Sequence, residues 1–455
     1  MTARFVPPFP PRSATPVPTW RGFFGERART SVFGWSERAF ETGYIKRNIL
    51  GFTVHILLDP DHVQQVLLDR AANYVKPDIV KGLLDPIIGR GLLTADSDLW
   101  REQRRIVAAS FSPAAVDAQR ATFAQAARAT MADWRDGQRR DIAAEATRTT
   151  MAVIALALFG GDPRLIREES IRHITAAIEG FSEARMLALL RLPQFPLTRK
   201  GRAGKRGQEH LRRTLADVVD DRWQGRLSGD FLSGMIEALR QRFPEDQARA
   251  LAVDNAATFY LAGHETTANA LTWTAFLLAA QPELQEEMAT EAGAALADGE
   301  DDVADRLPRL RLFLTESMRL YPPVPRFDRQ AIAADRLGER DVGPGDIISI
   351  WPWLLHRHRR LWDDPDAFRV DRFAQKGDRH RFQYLPFGAG PRTCVGAQFA
   401  TVEALTILAH WLREWRFFDG GHMVRPAGMV TLRPAGGLPL RLERRSDQAS
   451  AISRL

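Results

Sequence analysis

The chain has 455 residues, 45% hydrophobic and 26% charged, which suits one large globular domain or a few smaller ones. Its single cysteine excludes an intrachain disulfide and any metal site built from several thiolates, and by count alone would be an inert, buried thiol. A net charge of +7 and a pI near 9.9 raise nucleic acid as a partner, but the excess is spread without a Lys/Arg run, and only six of 63 basic residues are lysine, so no nucleic-acid partner is expected, whereas a diffuse positive field suits docking of an acidic protein.

Residues 1–20 hold six prolines and are expected to form an extended arm. The N-terminus lacks the residue order of a signal peptide, and no run reaches the roughly 18 uninterrupted apolar residues of a membrane span. A cytoplasmic monomer without a membrane anchor is expected. Asp59-Pro60-Asp61 opens a helical pattern to about residue 70, followed by patterns over 97–109, 113–136, 141–159, 164–182 and 204–225. The longest helix starts after Pro244 and meets no breaker until Gln281-Pro282, about 35 residues and long enough to cross a large domain. Helices over 283–297 and 308–320 follow, then strand-like runs at 328–333, 346–351 and 429–443, with a last helix from Gly396 to about Trp415. Without repeats or linkers, the pattern predicts one mainly α domain with a minor β-sheet (α+β), spanning 21–445, and a polar tail over 446–455.

The setting of the cysteine overturns the inert reading. It lies in Phe387-Gly388-Ala389-Gly390-Pro391-Arg392-Thr393-Cys394-Val395-Gly396, ahead of the last helix. Three glycines permit a tight turn, close approach to a flat cofactor and peptide N–H groups aimed at the sulfur. The following helix dipole favours thiolate over thiol. Gly388-Ala389-Gly390 is no dinucleotide fingerprint, because the third glycine position holds Thr393 and no apolar strand leads in.

Phe-x-x-Gly-x-Arg-x-Cys-x-Gly resembles the haem-binding loop of the cytochrome P450 family. The resemblance implies the P450 fold, with haem b (iron protoporphyrin IX) between the long helix and the cysteine loop, and Cys394 as metal ligand. A thiolate ligand pushes electron density toward oxygen on the iron. Phe387 and Gly396 then belong to the cofactor-binding loop.

Three further segments are similar to the family. In Ala262-Gly263-His264-Glu265-Thr266-Thr267, Gly263 is expected to admit the ligand, and a threonine bonding back to a carbonyl four residues earlier can bend the helix and open a groove. The resemblance implies that Glu265 and Thr266 are catalytic and relay protons to the dioxygen being activated, with Ala262 against the cofactor. Glutamate at 265, where the family also uses aspartate, leaves that reading intact. His264 is expected on the helix surface and not as an axial ligand. Glu316-Ser317-Met318-Arg319, with Leu320-Tyr321-Pro322-Pro323 and Phe368-Arg369-Val370-Asp371-Arg372-Phe373, resembles the family's Glu-x-x-Arg helix and its partner loop. By that match Glu316, Arg319 and Arg372 form a structural charge network, although such i,i+3 spacing alone usually marks a surface pair. Trp100-Arg101-Glu102-Gln103-Arg104 puts an indole and a guanidinium one turn apart, suited to carboxylates. The resemblance implies that Trp100 and Arg104 bind the haem propionates with Arg392, and Arg329 is a further candidate.

The matches run from about 59 to 435, leaving the first 20 residues and the tail after Arg445 outside. They imply a monooxygenase that inserts one atom of dioxygen into a C–H or C=C bond of a lipophilic substrate. With no flavin, nicotinamide or iron–sulfur module in the sequence, electrons must come from a separate donor, expected to be a ferredoxin with its reductase, and Arg101 and Arg105 are candidates for its docking face. The resemblance places the pocket at the 80–95 loop, Phe259, Ala262, Val324 to Phe327, and Met429 to Thr431 with Val430 at their centre. Trp100 with Arg104, the Leu320 to Pro323 turn and the Trp362 to Phe373 stretch look more like fatty-acid and xenobiotic hydroxylating members than the camphor-hydroxylating type, favouring a long or bulky lipophile. A peroxide-dependent peroxygenase, a non-catalytic haem sensor and a haem-free helical binding protein remain as alternatives.

Overall fold

A computed structural model describes residues 4–16, 26, 30–189, 196–225, 230–300, 302–375, 377–421, 423–428 and 430–445. Eleven of its helices organise the fold: α1 Asp78–Ile88, α2 Ser97–Ala108, α3 Arg120–Met131, α4 Ile142–Phe159, α5 Glu168–Leu189, α6 Arg199–Trp223, α7 Phe231–Arg240, α8 Glu245–Ala279, α9 Pro282–Ala297, α10 Pro308–Leu320 and α11 Ala397–Glu414. The helix α8 is the axis. Its residues from Leu251 to Tyr260 and from Thr267 to Ala279 are buried without interruption, as expected of a helix surrounded by protein on all sides. It packs against α1, α4, α6, α7, α10 and α11. The helix α4 is long and apolar enough to cross a membrane by length and mean hydropathy, yet it is mostly buried between α8 and α3.

The strands lie to one side. Writing β1 Tyr44–Ile49, β2 Phe52–Leu57, β3 Tyr74–Val75, β4 Arg139–Asp141, β5 Phe327–Ala331, β6 Ile347–Ile350, β7 Trp415–Asp419 and β8 Pro439–Arg444, the main sheet has the order β1-β2-β6-β5-β3 and a smaller sheet the order β4-β8-β7. Within the main sheet β2 and β6 pair in parallel, with Val54 opposite Ile347.

The long helix ends at Ala279, close to its expected stop. Other elements differ. The 59–70 pattern is a short helix, Pro60–Gln64, continued by a π turn, Gln65–Asp69. The 113–136 pattern divides into Pro113–Asp117 and α3. The pattern beginning at 164 is one turn, Pro163–Ile166, followed by α5, which runs on to Leu189. The expected 429–443 strand is reduced to the bridge Arg433–Pro434 and β8, with Met429 outside the described residues. Most of the expected 80–95 loop is α1, which contains Pro86 in its interior, so local propensity argues against the helix that packing makes. The β1–β2 hairpin turns through Leu50 and Gly51 at φ 50° and 84°, and the leucine hides a turn that usually carries Asn or Gly. The tail 446–455 lies outside the described residues; residues of the proline-rich arm are pinned, with Tyr321 donating to the Pro8 carbonyl at 2.6 Å.

Beneath the cysteine loop, Glu316 and Arg319 are fully buried, so they are not a surface pair. Arg319 forks onto both carboxylate oxygens at 2.7 Å and Arg372 adds a bond of 3.0 Å to Glu316. Arg319 also donates to the carbonyls of His356, Pro365 and Ala367. Burial, then the Arg319 charge, hold His356 down to a pKa of about 3. It is therefore neutral, and its Nε2 accepts from the Leu385 N–H at 2.8 Å, which carries the network to the start of the cysteine loop. Arg319→Ala leaves a buried carboxylate with lost partners and is expected to cost about 3–5 kcal/mol, measured by urea unfolding; Arg319→Lys, lacking the planar fork, should recover only part.

Candidate functional site

One cavity of about 770 Å³ lies between α8, the cysteine loop with the start of α11, α1, α2 and the main sheet. Its wall brings together Trp100, Arg104, Phe259, Ala262, Glu265, Thr266, Val324, Phe327, Arg329, Phe387, Arg392, Cys394, Gly396 and Val430. Glu316, Arg319 and Arg372 do not line it.

The loop geometry is set by two of the three glycines. Gly388 and Gly390 have φ 68° and 71°, and a Cβ on Gly390 would stand 1.9 Å from the Leu67 carbonyl oxygen, so only glycine fits there. Gly396 has an ordinary φ of −91°; its role is the N–H it offers to Cys394. The Cys394 N–H closes the loop on the Phe387 carbonyl at 2.9 Å. The thiol is exposed, but only toward the cavity, and it lies deep in the protein. Burial pushes its pKa up, against the Gly396 N–H and the Arg104 charge. The expected preference for thiolate is thus outweighed in the bare protein. A cation placed at Sγ reverses the balance, since a coordinating thiol is deprotonated outright.

Cations crowd the same wall. Arg392 donates to the Asp96 carboxylate at 2.6 Å and to the Ala95 carbonyl at 2.8 Å, and stacks on Trp100 at 4.5 Å. Arg329 is buried, not solvated, and burial followed by the Arg392 charge lowers its pKa to about 10. Burial also lowers Arg104. Lys76, which the sequence reading missed, faces the cavity; burial, then Arg329 and Arg392, hold its pKa well below the usual value. Asp328 is occupied by Arg326 and Ser349, each at 2.6 Å. Among the described residues Lys76, Arg104 and Arg329 have no carboxylate partner within 4 Å. Buried cations left this way are costly, and a dianionic group with a metal centre over Cys394 would satisfy both halves of the site. The residues therefore fit haem b with its two propionates.

On α8, the Thr266 hydroxyl donates to the Ala262 carbonyl at 2.8 Å, the expected backward bond, within a helix that continues unbroken to Ala279. Thr431 donates to Glu265 at 2.6 Å, anchoring that carboxylate at the cavity wall. Gly263 lines the cavity as expected, and its missing side chain also makes room for Ile154 of α4, whose Cδ1 would stand 2.5 Å from a Cβ. One expectation changes. His264 is buried, not on the surface, with Nδ1 bonded to the Tyr260 carbonyl at 2.6 Å; burial lowers its pKa, and it does not line the cavity.

Glu403 of α11 was also missed. It is fully buried beside Thr267, lines the cavity, and has neither carboxyl oxygen in a well-formed hydrogen bond. A lone acid within the apolar run from Phe399 to Leu412 was the available signal. Burial holds its carboxyl well above the usual range, so the folded state binds its proton more tightly than the unfolded state. The stability this gives is full below the unfolded value of 4.5 and is lost as pH rises toward the folded value. Glu403→Gln should therefore gain stability relative to wild type between pH 5 and 8, by at most about 1.4 kcal/mol per pH unit, in paired urea titrations; equal gaps at both pH values would count against a neutral Glu403.

A family model described as Cytochrome P450 matches residues 42–435. Cyclooctatin synthase of Streptomyces melanosporofaciens is 32% identical over 404 residues, covering 86% of this chain and 85% of that protein. Protein LUTEIN DEFICIENT 5, chloroplastic, of Arabidopsis thaliana is 28% identical over 423 residues, covering 86% and 70%. Echinocystic acid 23-monooxygenase of Saponaria officinalis is 28% identical over 424 residues, covering 85% and 79%.

Proposed function

The chain belongs to the cytochrome P450 family, and from that membership we propose that Cys394 ligates haem iron in a monooxygenase that oxidises a long or bulky lipophile. The family binds haem b through a cysteine thiolate and works with a separate redox partner on lipophilic substrates, and the enzyme is an oxidoreductase of that kind. The observation that carries the site assignment is the meeting, on one cavity wall, of the chain's single thiol with buried Arg329 and partly buried Lys76 and Arg104, which have no carboxylate partner among the described residues.

When bound, haem b would supply dioxygen activation, two electrons from the separate donor and two protons being needed for one oxygen atom to enter substrate and the other to leave as water. The chain's residues do the rest. Arg104, Arg329, Arg392 and Lys76 bind the propionates, with Trp100 packed under Arg392 to fix its guanidinium. Phe387 and Gly396 shape the cysteine loop. Thr266 holds a hydroxyl at the cavity face of α8, and Glu265 exchanges protons between its Oε1 and the Thr431 hydroxyl side of the cavity. Glu316, Arg319 and Arg372 position the loop from below. Phe259, Ala262, Val324, Phe327 and Val430 supply apolar contact that orients substrate and excludes water.

The proposal extends to a ferredoxin donor with its reductase, a monomer without a membrane anchor, and a cytoplasmic location; cell fractionation and gel filtration test the last three. Arg101 and Arg105 stand on the exposed face of α2, each tied to an acid one turn earlier, Asp98 and Glu102. Reversing both to glutamate should weaken donor association by about tenfold at low salt, with the difference shrinking as salt rises; unchanged donor affinity in stopped-flow reduction would remove this docking face. The ligand assignment is tested by reduced, carbon monoxide-treated spectra. Wild type should show the red-shifted band of thiolate-ligated haem and Cys394→Ser should lose it, whereas an imidazole-like band in wild type would refute the assignment.

A further inference from the structure

Helices α5 and α6 lie against each other along a seam of small residues. A Cβ on Gly204 would stand 2.9 Å from the Gly180 Cα, and one on Gly207 would stand 2.2 Å from the His173 carbonyl oxygen. Contact this close brings backbone against backbone, so side chains flanking the seam meet across it. His173 of α5 and His210 of α6, one turn beyond Gly207, have their imidazoles stacked at 4.2 Å with 22° between the planes. Glu169, one turn before His173 on the same face, puts Oε1 3.8 Å from His173 Nε2. A ligand atom from each of the three lies within 4.8 Å of the others.

We propose that Glu169, His173 and His210 form a binding site for a divalent transition metal of the zinc class that staples α5 to α6. Two imidazoles and one carboxylate are the donor set of open zinc sites, with the fourth position left to water, and they exclude the all-oxygen preference of calcium or magnesium. Zinc ligands sit about 2.1 Å from the ion, so the three groups need only close inward, which their partial exposure allows. Burial and the neighbouring His173 lower the proton affinity of His210, and Arg213 adds to this; an imidazole kept neutral keeps a nitrogen free for metal. Both helices pack on α1, whose Ile79, Val80, Leu83 and Leu84 line the cavity. The ion would thus fasten the cover of the cavity at a distance from the cysteine. The site uses none of the residues assigned to haem, and only the spectroscopic check on folding draws on that assignment.

The experiment is calorimetric titration of untagged, haem-loaded protein with zinc chloride, with metal content measured after dialysis. Wild type is expected to bind one zinc per chain in the micromolar range. His173→Ala and His210→Ala should each weaken that binding about tenfold or more, and Glu169→Gln less, while the carbon monoxide spectrum stays as in wild type and certifies the fold. Zinc should raise the thermal midpoint of wild type and leave that of His210→Ala unchanged. Absence of zinc binding to wild type at submillimolar metal, or wild-type affinity retained in both histidine variants, would overturn the proposal.

Discussion

A buried cation without a counter-charge costs several kcal/mol, and among the described residues buried Arg329 and the partly buried Lys76 and Arg104 face one cavity without a carboxylate partner. Burial pushes up the pKa of the thiol that shares their wall. Each half of the site is unfavourable by itself, and each is relieved by the complementary half of one ligand: carboxylates for the cations, a metal for the sulfur. Affinity for such a ligand is stored in the folded protein as unsatisfied electrostatics, so the protein must be rigid enough to keep the charges from moving apart or finding water.

That rigidity has identifiable sources. The helix α8 is buried around its circumference and fixes one wall. The other wall is a loop, and loops are ordinarily the mobile part of a protein. Here it is tied at both ends: Leu385 bonds to His356, which faces the Arg319 carbonyl, and α11 follows directly after Gly396. The positive φ of Gly390 against the Leu67 carbonyl fixes the middle. The buried charges of Glu316, Arg319 and Arg372 are weak as a net source of stability, but their many directional bonds hold the 356–372 segment in a single arrangement beneath the site.

The loop, the long helix and the charge network were legible in the sequence because each joins fixed residue types at short spacing: the glycines and arginine around Cys394, the run from Ala262 to Thr267, and Glu316 with Arg319. Lys76 and Glu403 were not. Lys76 follows Val75 of β3 and precedes Pro77, a context that reads as a surface turn; only the placement of β3 beside β5 directs it inward. Glu403 stands on a face of α11 that periodicity marks as core, and its meaning depends on Thr267, which is distant in sequence. The same limit explains His264: it was expected on the helix surface, while the packing of α4 against α8 buries it, with Thr150 of α4 bonded to its carbonyl. The helix α7 is a different case, since Leu232, Met235, Ile236 and Leu239 follow helical spacing behind the capping Asp230, and that signal was present but unread.

The two acids at the cavity illustrate how position divides one chemistry. Glu265 has a hydroxyl partner in Thr431 and lies where the C-terminal segment crosses α8. Glu403 lies beside Thr267 without a well-formed hydrogen bond, and burial holds its carboxyl well above the usual range. A carboxylate in contact with a hydroxyl can pass a proton without moving far, whereas a neutral carboxyl in an apolar wall holds its proton unless a charge or water reaches it. Thr266 and Thr267, adjacent in sequence, project around α8 toward these different surroundings, one bonding back to Ala262 and the other lying beside Glu403. Substitutions at Glu265 and at Glu403 therefore act on separate surroundings, because one acid meets Thr431 and the other lies beside Thr267.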